Sequence, residues 1–577
     1  MKKLITITLT IALLTIANNA QAVVFLWNNT GTNWTSPTSW TNGVQPSSTS
    51  SSTTTDEIQF GNFGANNNTV VLTSPRAARN ITFLTNANAY NINSFNGAQI
   101  LSSSGGITNN STAIQTFNIL VENANGNNTW FQTAGGGLVL NNVASLTTAS
   151  SSTSRTLTLA GDGAFTFNNE LKQGGLSTAG VLKYIGAGTV TMNGTNTLAG
   201  GFEITGGGTV VVNGGTGVGQ GLVTMSNANS KLVVNSTNGL SVLNIFKGAS
   251  SLANMSTVDL AGSNSVAVTT YVVNKYDGGN MSFTNHGVGK TLLQFTNAAN
   301  ILTSSSATGG GRRLINNSTN LILQFDGTLD IGGTTADSST VGGAGDFLFK
   351  GSLLNTASAL RGLTKSGTGT VTLQAANTYN GDTTIAGGTL IVNGSLQSPL
   401  TTVFTGATLG GSGSLQGVLL NGGTISAGNS AGLLSMNTLN ASNGNFIFEI
   451  GSPSTRGVTY DAIDVTSLLT LGADTNFIFE VLNNYNFSSG DSYDLFNFAS
   501  IDATNFDITK LDVALPTLSS NELAWNTSSF ITDGMVSVIT VPEPSLFQML
   551  GLGLISLFVC HRINKRNGKS NEKSIIR

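Results

Sequence analysis

Apolar side chains in this chain recur at every second position in short runs, which are separated by clusters of Gly, Asn and Ser. The clearest stretch is residues 363–394, LTKSGTGTVTLQAANTYNGDTTIAGGTLIVNG, in which Val371 and Leu373 alternate with threonines. A period of two places the apolar side chains on one face of a strand and the polar ones on the other. We therefore predict short strands here, with Asn377 and Gly388 in turns that need positive φ.

A second stretch, residues 182–214, has the same order of residues, LKYIGAGTVTMNGTNTLAGGFEITGGGTVVVNG. Lys183, Asn196 and the closing Gly-Gly-Thr run all find partners in the later stretch. So small a unit cannot bury its apolar face alone, and internal copies indicate stacked repeats. We predict an all-β, right-handed parallel β-helix or β-solenoid. At ~20–25 residues and ~4.8 Å per rung it would form a rod of roughly 100 Å.

The G-x-G-T-V-T and G-G-T-L-I-V-N-G pieces resemble the autotransporter-associated β-strand repeat, a passenger-type unit of bacterial surface and secreted proteins. Residues 422–432, GGTISAGNSAG, resemble the segment downstream of such repeats. The resemblance implies an exported protein. Frequent asparagines at the turns predict side-chain amide ladders from rung to rung.

The first residues have the features of a secretory signal peptide. Lys2 and Lys3 precede an apolar run, and Ala20-Gln21-Ala22 has the pattern of a cleavage site. We expect residues 1–22 to be removed, with cleavage after Ala22, and the Sec export machinery to be a partner.

The mature chain would begin with a tryptophan-rich segment, residues 23–61. Trp27, Trp34 and Trp40 are three of the five tryptophans in the protein. Because an open solenoid end exposes its core, we interpret this segment as an N-terminal cap. Aromatic sugar binding is the alternative interpretation.

The last residues combine three features in order. Val541-Pro542-Glu543-Pro544-Ser545 is followed by an apolar stretch, residues 546–560, and then by a basic cluster. We predict that the apolar stretch is a single transmembrane helix and that the basic residues remain in the cytoplasm. The four nearest basic residues, expected to stop transfer, are Arg562, Lys565, Arg566 and Lys569.

This arrangement is similar to the PEP-CTERM sorting signal. The resemblance implies recognition by an exosortase-type membrane transpeptidase, with residues 541–545 as the sorting and cleavage signal. It also implies an inner-membrane-anchored precursor, held transiently by its C-terminal helix. The mature protein would then reach the cell surface or extracellular matrix of a Gram-negative-type bacterium.

The segments define a predicted domain organisation. It comprises a signal peptide at 1–22, a cap at 23–61, a solenoid at 62–440 with repeats at 182–214 and 363–394, a closing β region at 441–540, and a sorting signal at 541–577 with a basic tail at 561–577.

Composition removes several classes of chemistry. Charged residues are only 9% of the chain, and it has one cysteine, Cys560, and two histidines. We therefore expect no disulfide in the exported body, no metal and no cofactor. Six of the 24 Lys and Arg lie in the last sixteen residues, so loss of the tail would leave an acidic body that is unsuited to nucleic acid.

Candidate catalytic groups are sparse. Asp326 and Asp330 could share a strand face, whereas Asp461 and Asp464 have odd spacing, and we interpret all four as surface carboxylates. His286 is expected to be a polar surface residue. The P-loop-like residues 287–291 and the calcium-repeat-like residues 342–346 are expected to be turns.

These observations predict a non-catalytic exported surface or matrix protein that associates with exopolysaccharide or serves in adhesion. A β-helix carbohydrate-active enzyme, either lyase or hydrolase, is one alternative and would need a carboxylate cluster in a groove. A true autotransporter passenger is the other. It is disfavoured because it needs a C-terminal outer-membrane barrel, and this chain ends in a basic tail.

Overall fold

The computed structural model describes residues 22–541 and Arg562, except for 47–55, 65–66, 98, 124–125, 147–154, 174–179, 216, 237–238, 250–254, 262–267, 303–310, 334 and 429. The chain divides into two compact units, Met1–Gly327 and Thr328–Arg577. Each unit is built mainly of parallel strands.

The first unit contains twenty-nine strands in the described part of the chain and one 3₁₀ turn, Pro37–Ser39. The strands are β1 Val24–Leu26, β2 Glu57–Phe60, β3 Thr69–Leu72, β4 Arg76–Phe83, β5 Asn91–Ser94, β6 Gln99–Asn109, β7 Ile114–Asn118, β8 Leu120–Asn123, β9 Asn128–Gln132, β10 Gly137–Leu140, β11 Ala144–Ser145, β12 Thr156–Ala160, β13 Ala164–Phe167, β14 Leu171–Lys172, β15 Val181–Tyr184, β16 Thr189–Met192, β17 Phe202–Ile204, β18 Thr209–Val212, β19 Leu222–Met225, β20 Lys231–Val234, β21 Ile245–Lys247, β22 Ser256–Leu260, β23 Thr269–Val273, β24 Lys275–Tyr276, β25 Met281–Asn285, β26 Thr291–Phe295, β27 Ala299–Ile301, β28 Arg313–Asn316 and β29 Leu321–Phe325.

Two long parallel sheets organise this unit. One runs β1-β2-β4-β6-β9-β12-β15-β17-β19-β21-β24, and a second runs from β3 through β5, β7, β10, β13, β16, β18, β20, β22 and β25 to β28. Successive segments of chain alternate between the sheets, so each circuit stacks on the preceding one. Side chains of alternating strand positions therefore fill the space between the sheets, as the period of two predicts.

The second unit has short strands first and long strands later. Its elements are β30 Thr328–Asp330, β31 Asp337–Gly343, β32 Asp346–Phe349, β33 Leu353–Leu354, β34 Arg361–Ser366, β35 Thr370–Leu373, β36 Ala376–Asn377, β37 Thr383–Ile385, β38 Gly388–Val392, β39 Ser395–Leu396, β40 Leu400–Phe404, β41 Ala407–Gly411, β42 Ser414–Ala427, β43 Leu433–Ile450, β44 Ala462–Val481, the 3₁₀ turn Leu482–Asn484, β45 Ser492–Asp494, β46 Phe496–Asp502, α1 Thr509–Ala514, β47 Leu523–Asn526, α2 Phe530–Asp533 and β48 Met535–Thr540.

Three columns of short parallel strands merge into the long ones. The columns β31-β34-β37-β40, β32-β35-β38-β41 and β36-β39 all pair with the single strand β42. The parallel pairing then continues through β43 and β44 to β46. The change to long strands therefore begins at β42, and β43 runs through residue 441, where the sequence places a domain boundary.

The last part of this unit departs from the parallel arrangement. Strands β45, β48 and β47 form a small antiparallel sheet in that order. No helix within the described ranges is long and apolar enough to cross a membrane, and the predicted span at 546–560 lies outside those ranges.

The long parallel sheets are consistent with the predicted β-solenoid, and they explain how a chain so poor in charge has a core. The core is made of the inward-facing residues of successive circuits rather than of one central cluster.

Candidate functional site

The repeat at residues 363–394 forms two adjacent circuits of parallel strand. Strand β34 pairs with β37, and β35 pairs with β38, so that Val371 lies beside Leu390. The predicted inward face is confirmed, because its members are at most 1% exposed: Val371, Leu373, Ile385, Leu390 and Val392.

Asn377 is not the positive-φ turn residue that the sequence suggests. It lies in strand β36 and is fully buried. Its Oδ1 accepts a hydrogen bond from the Leu353 amide at 2.9 Å, while Nδ2 donates to the carbonyls of Ala375 at 2.8 Å and Ser395 at 3.1 Å. One amide thus joins backbone groups of three successive circuits, which compensates for its burial.

Asn196 has the same role in the first copy. It is 1% exposed, its Oδ1 accepts from the Leu171 amide at 2.7 Å, and its Nδ2 donates to the Gly217 carbonyl. Asn196 and Asn377 therefore each form a bracket, by which we mean a buried side-chain amide that hydrogen-bonds the backbone of neighbouring circuits. Their polar character does not place them on the solvent face.

Lys365 is a buried cation inside the later copy and is 1% exposed. Its ammonium Nζ donates to the carbonyl oxygens of Ser366 at 3.1 Å, Gly367 at 3.1 Å and Gly387 at 2.8 Å. Burial lowers the pKa of Lys365 to about 8, although the charge of Asp346 acts in the opposite direction. The side chain thus caps the carbonyls of two stacked glycine turns.

The equivalent position in the first copy is Tyr184. Tyr184 pairs with Ile204 in the parallel register, as Lys365 pairs with Ile385. The alignment of Lys183 with a lysine of the later copy is therefore wrong by one position. Lys183 instead faces outward, with its Nζ 3.6 Å from a carboxylate oxygen of Glu203.

An amide ladder runs along the first unit, as the asparagine-rich turns predict. Each Asn Nδ2 donates to the Oδ1 of the Asn one circuit earlier, at 2.6–2.7 Å. The ladder consists of Asn93, Asn118, Asn141, Asn168, Asn193, Asn213 and Asn235.

The three early tryptophans are packed against one another. Trp27, Trp34 and Trp40 are at most 1% exposed, and the Trp40 ring centroid lies 5.1 Å from that of Trp27 and 5.2 Å from that of Trp34. Phe60 in strand β2 also contacts this cluster. Rings so deeply buried offer no free face to a sugar, so their packing favours a cap at this end of the first unit.

Asp461 is not the surface carboxylate that its sequence context suggests. It is fully buried, and its two oxygens accept hydrogen bonds from the amides of Gly432 at 2.8 Å and Glu449 at 2.7 Å. Burial raises the pKa of Asp461 to about 7, opposed by these two hydrogen bonds and reinforced by the charges of Glu449 and Glu480. With both oxygens used by backbone amides, its present role is to hold the entry to β44 against β43.

The remaining carboxylates are engaged in local structure. The Asp464 carboxylate accepts from Arg456 at 2.8 Å, and a carboxylate oxygen of Asp494 forms an ion pair with Arg456 at 3.0 Å. In the first unit, Asp326 accepts from Gln294 and Gln324. In the second unit, Asp330 accepts from the Gly332 amide and the Thr356 hydroxyl.

The other candidate motifs form ordinary turns or surface contacts. His286 has a side chain 40% exposed, and its Nδ1 lies 3.0 Å from Asp259, which also pairs with Lys231 at 2.7 Å. Residues 287–290 join β25 to β26, with Val288 73% exposed at the tip. Residues 344–345 join β31 to β32, and Asp346 then accepts from the Thr370 amide at 2.8 Å.

Most residues of the predicted export and sorting signals lie outside the described ranges. These are Ala20, Pro542, Glu543, Pro544, Ser545, Lys565, Arg566 and Lys569. Ala22 is half-buried, and Val541 and Arg562 are exposed. The Val541 amide donates to the Glu522 carbonyl at 2.7 Å, so the described chain remains attached to the small antiparallel sheet up to this residue.

Within the described ranges, no group of three or more His, Cys, Asp or Glu side chains is arranged to hold a metal ion.

Comparison with protein-family models gives a match inside the second unit. Residues 363–392 match the passenger-associated-transport-repeat (PATR) family, which covers the copy built around Lys365. No curated protein matches the chain. The chain is thus a mostly parallel β protein, consistent with a β-solenoid, that carries a passenger-associated transport repeat, and this repeat suggests a secreted or surface protein.

Proposed function

We propose that this protein is a non-catalytic, exported scaffold of the cell surface or extracellular matrix, acting in exopolysaccharide association or adhesion. The observation that carries the proposal is the transport repeat at 363–392, folded as stacked circuits of a parallel solenoid. Its buried polar groups, Lys365 and Asn377, are used by the backbone of neighbouring circuits. The repeat is thus organised to be stacked.

The C-terminal sequence supports a route to the surface. The residues Pro542 and Pro544 disfavour helix immediately before the apolar stretch, and a membrane transpeptidase requires an extended substrate. We propose that the Sec machinery exports the chain and that an exosortase-type enzyme cleaves it at this site. The inner membrane would hold the precursor only through residues 546–560.

The enzyme alternative has one specific place to be tested. Glu449 lies beside Glu480 in the β43–β44 register, and Asp461 accepts from the Glu449 amide. A glycosidase needs two carboxyl groups facing one sugar, with one free to give a proton. Both Asp461 oxygens already accept backbone amides, so we favour a structural role for this group.

Mass spectrometry of the mature C-terminus, combined with cell fractionation, tests the sorting proposal. We expect a protein that ends near Pro542–Pro544 and is recovered with the surface or matrix fraction. A protein that keeps Arg577 and stays in the inner membrane would refute sorting.

An assay for released reducing ends, run on purified protein with its host polysaccharide, tests the absence of catalysis. We expect the wild-type protein to release no more reducing ends than the Asp461→Asn and Glu449→Gln variants do. Release that these substitutions abolish would establish the enzyme alternative instead.

A further inference from the structure

One tryptophan differs from the other four in its surroundings. Trp27, Trp34, Trp40 and Trp130 are each at most 1% exposed, whereas Trp525 in strand β47 is partly exposed. A large aromatic ring is costly to leave in water unless it meets a partner, and Trp is typical of recognition surfaces.

The Trp525 ring is held in a fixed position. Its centroid lies 5.2 Å from that of Phe487 and 6.0 Å from that of Tyr493, and its Nε1 donates to the Pro516 carbonyl at 2.8 Å. Neighbouring rings and a backbone acceptor thus fix the indole before any ligand arrives, which reduces the entropy cost of binding.

The exposed part of Trp525 lines an open groove of about 630 Å³ in the second unit. Ile531, 46% exposed, and Ile539, 41% exposed, contribute further apolar surface to it. Ligand clefts in proteins usually measure roughly 300–1,000 Å³, so this groove can hold a ligand larger than one small group.

The remaining side chains of the groove are polar and mostly uncharged. Asn526, Thr527 and Ser528 supply an amide and two hydroxyls, and the Thr527 hydroxyl donates to Asp512 at 2.7 Å. Asp512 is the one charged residue among the described lining, which contains no Lys, Arg or His. An apolar ring beside hydroxyl, amide and carboxylate acceptors suits a ligand with both C–H faces and hydroxyl groups. The single negative charge disfavours an anionic one.

We propose that this groove binds a short segment of a neutral polysaccharide, with a sugar ring stacked on Trp525 and its hydroxyls bonded to Asp512 and Asn526. This inference rests on the proposed function and deepens it, since it gives matrix association a defined site. It places that site at the antiparallel sheet near the end of the second unit, on residues that belong to neither repeat.

The test also distinguishes a second occupant, the apolar residues 546–560 of the uncleaved chain, which follow Ile539 closely in the sequence. The polar lining favours the saccharide.

Binding to the full-length protein in detergent is measured by calorimetry and by acrylamide quenching of tryptophan fluorescence. The probes are neutral hexasaccharides of β-glucan, xylan and mannan. Because the other tryptophans are buried, protection from the quencher reports on Trp525. The variants are Trp525→Ala, which removes the ring, and Ser528→Gln, which fills the groove without disturbing the ring's packing. Val513→Ala is the matched control, since Val513 is 87% exposed and does not line the groove.

We expect at least one hexasaccharide to bind and to protect Trp525, with affinity roughly tenfold or more weaker in both groove variants and unchanged in Val513→Ala. Equal affinity in Ser528→Gln and the wild type, or no binding by any probe, would overturn the proposal. A photocrosslinker placed at position 531 that captures residues 546–560 would identify the chain's own tail as the occupant and would also overturn it.

These results separate the inference from the proposed function. A protein that reaches the matrix yet binds no hexasaccharide loses only the groove assignment. A protein that binds sugar but stays in the inner membrane with Arg577 loses the sorting proposal.

Discussion

The two copies of the repeat have corresponding parallel strand pairs but place different side chains in the same internal position. In the first copy, Tyr184 lies beside Ile204, and in the second, Lys365 lies beside Ile385. Both side chains lie against glycine turns, where Gly208 is close to Tyr184 and Gly388 is close to the Lys365 ammonium. The repeat pattern therefore requires a long buried side chain at this position, and that side chain is aromatic in one copy and cationic in the other.

The same comparison shows which features both copies need. Gly188 and Gly369 allow the close approach of backbone carbonyls from the preceding circuit, and Asn196 and Asn377 bracket circuits in both. We expect substitutions at these shared positions to have large effects. Substitutions at the position of Tyr184 and Lys365 should instead change how the free energy of unfolding depends on pH.

The largest effect is expected from Gly369→Ala. An added Cβ would collide with the Gly345 carbonyl oxygen of the preceding circuit, and backbone cannot yield as a flexible side chain does. We expect a loss of about 4 kcal/mol in the free energy of unfolding, measured by urea denaturation of the second unit's circular dichroism. Gly387→Ala is the matched control, because its nearest neighbour, the Gly367 oxygen, would be 3.3 Å away. Equal losses in both variants would show that close approach is not what the repeat requires.

Replacing the bracket, Asn377→Ala, is expected to cost about 3 kcal/mol, because the buried Leu353 amide and two carbonyls would lose their partner. The Asn196→Ala variant should show a similar loss in the first copy. Hydrogen exchange of strands β33, β36 and β39 would locate the weakened circuits. The exposed amide Gln374 provides the control, and a Gln374→Ala loss of the same size would contradict the bracket.

The response to pH distinguishes the two copies. Lys365 has a folded pKa of about 8 against an ordinary value of 10.5. Between pH 8 and pH 10 the native state loses this proton while the unfolded chain keeps it, so stability rises with pH, by about 2.5 kcal/mol at most. Burial raises the pKa of Tyr184 above its ordinary 10.0, so Tyr184 stays protonated in the native state, and ionisation of the unfolded chain near pH 10 lowers stability slightly instead of raising it.

The reciprocal exchange tests this difference. Urea denaturation at pH 8 and pH 10 should show that Lys365→Tyr removes the rise and that Tyr184→Lys introduces one. A rise that survives in Lys365→Tyr would have to come from another group.

The smallest effect is expected from Lys183→Ala. Its partner Glu203 lies 3.6 Å away at the surface, with both side chains more than a third exposed. Such pairs contribute about 0.5 kcal/mol or less. Thermal unfolding in low and high salt should therefore barely distinguish this variant from the wild type. A loss of unfolding free energy comparable with that of Asn377→Ala would instead show that Lys183 is needed for the stability of the repeat.

Much of this architecture could be predicted from the sequence. Alternation in residues 363–394 predicts the inward face because burial in a strand depends on parity, which a single sequence displays. Duplication predicts stacking because one unit has too little core. The frequent asparagines at the turns likewise predicted the asparagine ladder, because stacking brings equivalent turns together.

The errors concern polar residues inside the solenoid. Asn377 was expected at a turn and Asp461 on the surface, because polarity normally indicates exposure, and no sequence pattern indicated that Lys365 is buried. Each is instead buried with hydrogen bonds to the backbone of an adjacent circuit, and those partners lie 12 to 29 residues away along the chain. No sequence pattern indicated the site at Trp525 either, since the groove around it is assembled from α1, β47, α2 and β48.

The asparagine ladder of the first unit has a direction. Every amide donates toward the N-terminal end and accepts from the C-terminal side, so the side-chain dipoles add along the column. An aspartate in place of Asn168 could accept but not donate, and it would leave the chain of bonds in two shorter pieces. Deamidation of Asn193 or Asn213, each of which is followed by a glycine, would therefore remove one donor and interrupt the column at that residue.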